Sequence, residues 1–287
     1  MFEEDAHYTR ARAKRIAKKI AAYTVLVLIS IIWLIPFVYL FVQSFGVVYD
    51  QTRFIPAKLT FNNYVLLFTD KTYPFWKWWT NTLIIALATA VIQTLIVLMT
   101  SYALSRLRFR MRKPLMKFML ILGMFPGFLS MIVIYKLLQF MHLETSLVSL
   151  LIIYIGGAAM QYYISKGFFD TVSHSLDEAA MIDGANKNTI FFRIILPLSK
   201  PIIIYTILMA FTAPWGDYMM ASFIAQGRTN MFTVAVGLQQ WLSKLDFATY
   251  FNRFCAGGVL TSIPIMVLFF WLQKYYVSGV TGGAVKG

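Results

Sequence analysis

Three observations point to an all-α membrane protein with six transmembrane helices and both termini in the cytoplasm. Of the 287 residues, 59% are hydrophobic and only 13% charged, whereas a soluble domain carries about a quarter charged residues. Six apolar runs approach the roughly 20 residues that a bilayer demands, and mean hydropathy is +0.66. The cations are also unevenly placed. Segments assigned to the cytoplasm hold 18 of the 26 Lys and Arg, as the positive-inside tendency requires.

Taken in order, residues 1–19 form a basic cytoplasmic N-terminus with Arg10, Arg12, Lys14, Arg15, Lys18 and Lys19. The membrane domain spans 20–274. Span one, 20–43, is too long for a signal h-region and no small-residue cleavage site follows it, so it reads as a retained signal anchor. An aromatic-rich external loop, 44–81, ends in Trp76, Trp78 and Trp79 at the interface where span two, 82–104, begins. The next loop is cytoplasmic, with Arg106, Arg108, Arg110, Arg112, Lys113 and Lys117. Span three, 118–140, is interrupted at Pro126 between Gly123 and Gly127, a kink whose freed carbonyl needs an internal partner. A short external turn with His142 and Glu144 leads to span four, 147–164. Span five, 202–224, carries a second break at Pro214, and an external loop to Arg253 precedes span six, 254–272. The tail, 275–287, is cytoplasmic, and glycine at four of its last nine positions favours extended, flexible backbone. No internal repeat or separate soluble domain is present.

Composition also excludes chemistry. A net charge of +14 would suggest nucleic acid in a soluble protein, but here the cations flank spans and face lipid headgroups, so no nucleic-acid partner is expected. The single cysteine, Cys255, permits no internal disulfide. His7, His142 and His174 are isolated in sequence, and neither a zinc-type spacing nor a Gly-x-Ser-x-Gly elbow occurs. No phosphate-binding Gly-x-x-x-x-Gly-Lys loop is present. The chain therefore reads as no enzyme, with no cofactor of its own, and if it performs any ATP-powered work the power must come from a partner.

Between spans four and five lies a polar island, Ser175–Pro201, which makes up most of a loop placed at 166–200. Ser175 and Glu178 have the spacing of a capping box. Leu176, Ala179, Ala180 and Asp183 follow at helical spacing as a narrow face of mostly small side chains. Gly184 suits the left-handed conformation that ends a helix. Ile190, Phe191, Ile194 and Ile195 form the stripe of a second helix, which Pro197 closes because a residue before proline is biased out of helical geometry.

Glu178-Ala179-Ala180, then Gly184, Ile194 and Leu196-Pro197, resembles the EAA motif of ABC importer permeases with every anchor at the expected spacing. The resemblance implies a coupling helix seated in a cytoplasmic ATPase, with Glu178, Ala179, Ala180, Asp183, Gly184, Ile194, Leu196 and Pro197 as the coupling residues. The tail is similar to that of MalG-type subunits of maltodextrin importers, as are Leu104–Phe109, Gly123–Gly127 and Tyr163–Phe169. That likeness implies ATPase contacts for Gly282, Gly283, Lys286 and Gly287. It further implies a second homologous permease, two ATPase subunits carrying ATP and Mg, a sugar-binding protein, an oligosaccharide substrate, most closely maltose or maltodextrin, and a bacterial cell membrane. Galacto-oligosaccharide, raffinose-type and alginate-type importers use similar subunits, and a secondary transporter would instead place its essential charges mid-membrane. Asp217, an acid inside span five, stands with Trp215 and Tyr218 where they line a sugar path or where Asp217 merely caps a broken helix. Trp241, Phe247 and Tyr250 occupy the loop that family members turn toward the binding protein, and equally suit interface anchors.

Overall fold

A computed structural model describes residues 2–124, 127–243 and 247–284, with side chains described for 12, 14–124, 127, 129–243 and 247–275. Its helices are α1 (Phe2–Gln43), α2 (Asn62–Thr69), α3 (Phe75–Arg106), α4 (Arg112–Gly123), α5 (Gly127–Phe140), α6 (Leu147–Gly156) and α7 (Ala159–Thr171). There follow α8 (Ser175–Ile182), α9 (Lys187–Thr189), α10 (Leu196–Leu198), α11 (Lys200–Gly216), α12 (Met219–Ala225), α13 (Val234–Leu242) and α14 (Phe247–Ala284). Among the described residues there is no β-strand, only an isolated bridge between Gly46 and Leu59.

Three helical stretches are long and apolar enough to cross a bilayer alone: Lys14–Gln43, Phe75–Arg106 and Phe247–Tyr275. Two more crossings arise if the bent pairs count as single spans, α6 with α7 at 40° and Lys187–Leu198 with α11 at 83°. The run expected as span three is divided between α4 and α5, and Pro126 itself lies outside the described residues.

Several boundaries differ from those the apolar runs suggest. The helix of span two starts at Phe75, because the tryptophans extend it rather than precede it. Pro214 sits inside α11, which ends two residues later at Gly216. A proline has no N–H and disturbs only the carbonyl one turn back, which loses its donor and meets the ring; here the helix runs through it and breaks at Asp217. Likewise α14 continues through residues 275–284, including Gly282 and Gly283, where an extended tail was expected. Adding residues to an existing helix avoids the cost of nucleation, and that offsets weak glycine propensity. Lys286 and Gly287 lie outside the described residues.

α3 is the spine, packed against α6, α7, α11 and α13. Its polar side chains fasten those neighbours: Gln93 donates to the Tyr154 carbonyl at 2.9 Å and Ser101 to the Tyr162 carbonyl at 3.1 Å. At its N-terminal end Trp78 and Trp241 are wholly buried. Trp78 donates from Nε1 to the Thr229 carbonyl at 3.1 Å, and the Val234 N–H donates to Thr82 at 2.8 Å. Trp78 is therefore core rather than interface. Gly237 allows this, since a Cβ there would stand 1.9 Å from the Trp78 ring.

Asn252 donates to the Gln43 carbonyl at 2.6 Å and Asn63 to the Gly46 carbonyl at 2.8 Å, joining α1, α2 and α14. Before that junction, the apolar side chains of α1 from Ile16 to Val38 are exposed.

Replacing Gly237 by valine should push a branched side chain into the Trp78 ring and cost about 1–3 kcal/mol, the usual range for overpacking. The check is the unfolding midpoint in detergent. Gly167→Ala is the control, since a Cβ there meets nothing within 4 Å and the midpoint should hold or rise.

Candidate functional site

The site is the hairpin made by α8, Gly184 and the helix that begins at α9. α8 starts differently from the expected capping box. His174 holds the N-cap position in helical geometry with no side-chain cap, so Ser175 is already the first helical residue. The Ser175 N–H donates instead to Ser173 Oγ at 3.3 Å, which starts the turn earlier and leaves Glu178 exposed to solvent.

The end of α8 follows the sequence closely. Gly184 has φ of +82°. Its N–H donates to the Met181 carbonyl at 3.1 Å and the Ala185 N–H donates to the Ala180 carbonyl at 2.9 Å. Those two bonds are the paired closure of a Schellman motif, in which glycine is favoured by its backbone freedom. Space plays no part, because a Cβ at Gly184 would meet nothing within 4 Å. Asn186 then accepts from the Thr189 N–H at 2.9 Å and caps the next helix. The sequence signal was an Asn placed before a helical run, and it was overlooked.

The second helix runs on where proline was expected to stop it. A π-helical turn, Ile190–Ile195, precedes Leu196, which stays helical at φ −61° and ψ −46°. The wider turn moves the preceding carbonyls away from the Pro197 ring, a known use of such bulges. The bend comes at Ser199, whose hydroxyl donates to the Ile195 carbonyl at 2.7 Å, and Pro201 then lies in the first turn of α11, where its missing N–H costs nothing.

Two attachments hold the hairpin to the bundle. The first is apolar: Ala180, Ile190, Phe191 and Ile195 pack with Leu98, Tyr102, Phe169 and Ile202, and the Tyr102 and Phe191 rings lie 4.7 Å apart. Ile194 and Leu196 are half-buried beside this cluster, and Pro197 is exposed. The second is an ion pair. Arg106 Nε stands 3.3 Å from Asp177 Oδ2, with side chains only 3% and 12% exposed. The guanidinium also donates to the Val172 carbonyl at 2.7 Å. His174 Nδ1 approaches the same carboxylate oxygen at 3.9 Å. Next to it Ser105 donates to Asp170 at 2.6 Å, and Lys166 pairs with Asp170. The last turn of α3 is thereby bonded to both α7 and α8.

Sequence reading missed this pair. Arg106 counted only as one of six topological cations, and Asp177 was passed over beside Glu178. The available signal was an Arg at the end of an apolar span, where a charge needs a partner.

The outward surface of α8 carries Glu178, Ala179 and Asp183 with exposed Leu176, Met181 and Ile182, the last 87% exposed. Ala180 turns inward, so the expected face of Leu176, Ala179, Ala180 and Asp183 is not continuous. A short acidic helix that shows Ile182 and Met181 to water has the make-up of a docking surface.

The other expected residues are dispersed. Trp215 is buried, edge-on to Trp79 with ring centroids 5.9 Å apart. Asp217 accepts the Tyr154 hydroxyl at 2.8 Å and the Met220 N–H at 3.1 Å, so it caps α12. Tyr218 alone of these three is exposed. Trp241 is buried between Phe75 and Trp78, so its ring is unavailable for surface contact. Tyr250 and Phe247 are half-buried, against Tyr73 and Tyr49 respectively. Gly282 and Gly283 lie in the last turns of α14. Among the described residues, no three His, Cys, Asp or Glu converge on a metal-sized site.

Residues 96–282, which include the whole hairpin, match the family model described as "Binding-protein-dependent transport system inner membrane component". The chain belongs to that family. Similar permeases include the galactooligosaccharides transport system permease protein GanQ of Bacillus subtilis, 37% identical over 96% of this chain and 98% of its own. The maltodextrin transport system permease protein MdxG of the same organism is 38% identical over 96% of this chain and 99% of its own. In fold, the chain is similar to a subunit of a bacterial ABC transporter involved in the import of the acidic polysaccharide alginate, with a TM-score of 0.77 over 92% of this chain and 98% of that one at 23% identity.

Asp177→Asn should leave the Arg106 guanidinium buried without its counter-charge, a loss of about 3–5 kcal/mol for pairs of this kind. Because the pair joins α8 to α3, the loss should appear as faster amide hydrogen exchange over 175–195. An Arg106→Met, Asp177→Leu double variant, which removes both charges, should recover much of the protection. Wild-type exchange in Asp177→Asn would show that the apolar cluster alone holds the hairpin.

Proposed function

We propose that this chain is the transmembrane permease subunit of an ATP-driven importer of oligosaccharides, and that the α8 hairpin is its coupling element. The observation that carries the reading is the hairpin itself. Glu178 and an apolar tip face outward, Gly184 sets the turn, and Arg106–Asp177 ties the element to α3, the helix packed against α6, α7, α11 and α13. The domain is a six-span unit, with α4 and α5 together as the third crossing. Both termini and the hairpin lie on the cytoplasmic side of a bacterial cell membrane.

Mechanically, closure of an ATPase dimer around α8 would pull on α3 and α11 together, because the hairpin is bonded to the first and continuous with the second. The bundle then tilts as a body and a central cavity opens alternately to the two faces. ATP and Mg belong to two partner ATPase subunits, and a second homologous permease completes the path. On the likeness of the tail to MalG-type subunits, Gly282, Gly283, Lys286 and Gly287 are the residues proposed to contact those ATPases. An external sugar-binding protein delivers the substrate, as the family description supports, and Phe247 and Tyr250 remain the residues here proposed to meet it. The similar permeases GanQ and MdxG serve galactooligosaccharides and maltodextrin respectively. Maltodextrin is our preferred substrate, on the likeness of the tail to MalG-type subunits.

Gly184→Val should strain a positive-φ position by about 1–3 kcal/mol, and Glu178→Lys should invert the charge offered to the ATPase. Both variants are expected to insert at normal levels, lose sugar uptake and release or uncouple the ATPase subunits. Wild-type uptake and ATPase association in the two together would remove the hairpin from the coupling role.

Topology has its own test. With Cys255 replaced by serine, single cysteines at 58 and 244 should react with an impermeant thiol reagent added to intact cells, and those at 110 and 187 should not. Labelling at 187 would turn the hairpin away from any cytoplasmic ATPase.

A further inference from the structure

α11 carries the chain about 25 Å from the hairpin to a second break at Asp217, and an open cavity of about 420 Å³ lies beside that break. It is lined by Met131 of α5 and by Tyr218, Met219, Ser222, Phe223 and Gln226. We infer that this cavity is a saccharide subsite on this subunit, specific for neutral sugar units. The inference rests on the importer reading given above and names the class of substrate that such an importer accepts.

The volume falls in the range of about 300–1,000 Å³ typical of ligand pockets. Among the described residues, its lining contains no Lys, Arg, Asp or Glu. The carboxylate nearest in sequence, Asp217, is occupied by Tyr154 and Met220. Lys136 on α5 is hydrogen-bonded to Gln139 at 3.1 Å. What the cavity offers is two aromatic rings, two hydroxyls, a carboxamide and two thioethers. Hexose units present the complementary surface, with C–H faces for rings and thioethers and hydroxyls for Ser222 and Gln226. A uronate would bring a carboxylate, for which the described lining offers no cation. An acyl chain would prefer a wholly apolar groove. The one between α3 and α11, lined by Val91, Leu95, Leu98, Leu196, Ile203 and Ile207 among others, has that character and this cavity does not.

The cavity is also built rather than incidental. The Asp217 carboxylate caps α12 and holds its start. At the other end Gln226 adopts φ of +47°, a left-handed conformation usually left to glycine or asparagine. Its carboxamide donates to the Tyr135 hydroxyl, and Phe223 packs edge-on against the Tyr135 ring at 4.9 Å. Broken helices near cavities are where transporters place substrate contacts, because irregular backbone inside a membrane is tolerated only where it is buried or lines a cavity.

The test uses the complete importer in proteoliposomes with its binding protein, and measures radiolabelled maltotriose and galactotriose imported per ATP hydrolysed. Tyr218→Leu should lower that ratio about five- to tenfold for the sugar the wild type carries, the scale of losing one well-placed aromatic contact, and Gln226→Asn should lower it about five- to tenfold, the scale of losing one hydrogen bond. Tyr218→Phe, which keeps the ring, should lose no more than about twofold by the same measure. An unchanged ratio in Tyr218→Leu and Gln226→Asn would overturn the subsite. So would wild-type import of a mannuronate trimer at a rate comparable to the neutral sugars. Failure of subunit assembly in all three variants would assign the cavity to a contact with the second permease and overturn it equally. Import of none of the three sugars by the wild-type complex is a separate result, which removes the oligosaccharide reading before any variant is compared.

Discussion

The arrangement of the hairpin depends on one buried charge. An arginine at the end of a membrane-length helix must either reach water or find a carboxylate, since an unpaired guanidinium with 3% exposure is far too costly to persist. Asp177 supplies that partner from the next segment in space, and Val172 supplies a carbonyl. Satisfying Arg106 therefore fixes where α7 ends, where α8 begins and how α8 lies across the bundle. The apolar cluster around Tyr102 and Phe191 stabilises the same contact without orientation of its own. The ion pair contributes the direction.

A rigid attachment at one end is useful only if the rest of the helix is held as firmly. α3 meets that condition through polar side chains that bond carbonyls of α6 and α7 along its length, and through the Trp78–Gly237–Trp241 packing at its far end. In an apolar solvent these bonds and close contacts replace the hydrophobic drive that packs soluble helices. Force applied at α8 thus has a continuous solid path through the molecule. α1 stands outside this path, and its exposed apolar flank is left to lipid or to another chain.

Two of the breaks flank α11, and each uses proline or acid chemistry to keep backbone groups satisfied. Near Pro197 a π turn and the Ser199 hydroxyl absorb an 83° change of direction. Near Pro214 the helix survives the proline and stops at Asp217, whose carboxylate begins the next segment. Both breaks lie at the ends of α11, so that helix is a strut between the proposed coupling element and the proposed sugar contact.

The sequence by itself determined the helical class, the left-handed glycine at 184, the two-helix form of the hairpin and the family, because these follow from composition, local backbone preference and spacing along the chain. It also placed the chain breaks near the right prolines. It missed where the helices stop, since whether Pro197 or Pro214 ends a helix depends on carbonyls and hydroxyls one turn away in three dimensions. It read Trp78 as an interface marker and Trp241 as either a binding-protein contact or an interface anchor, when Gly237 makes room to bury Trp78 and Trp241 packs beside that ring. Only the tertiary structure decided that Arg106 pairs with Asp177 across 71 positions of chain, that Trp215 is core and that Tyr218 is not. Periodicity tells which side of a helix is apolar, but two residues far apart in sequence become partners only when the packing of other elements brings them within reach, and that information is held by no local pattern.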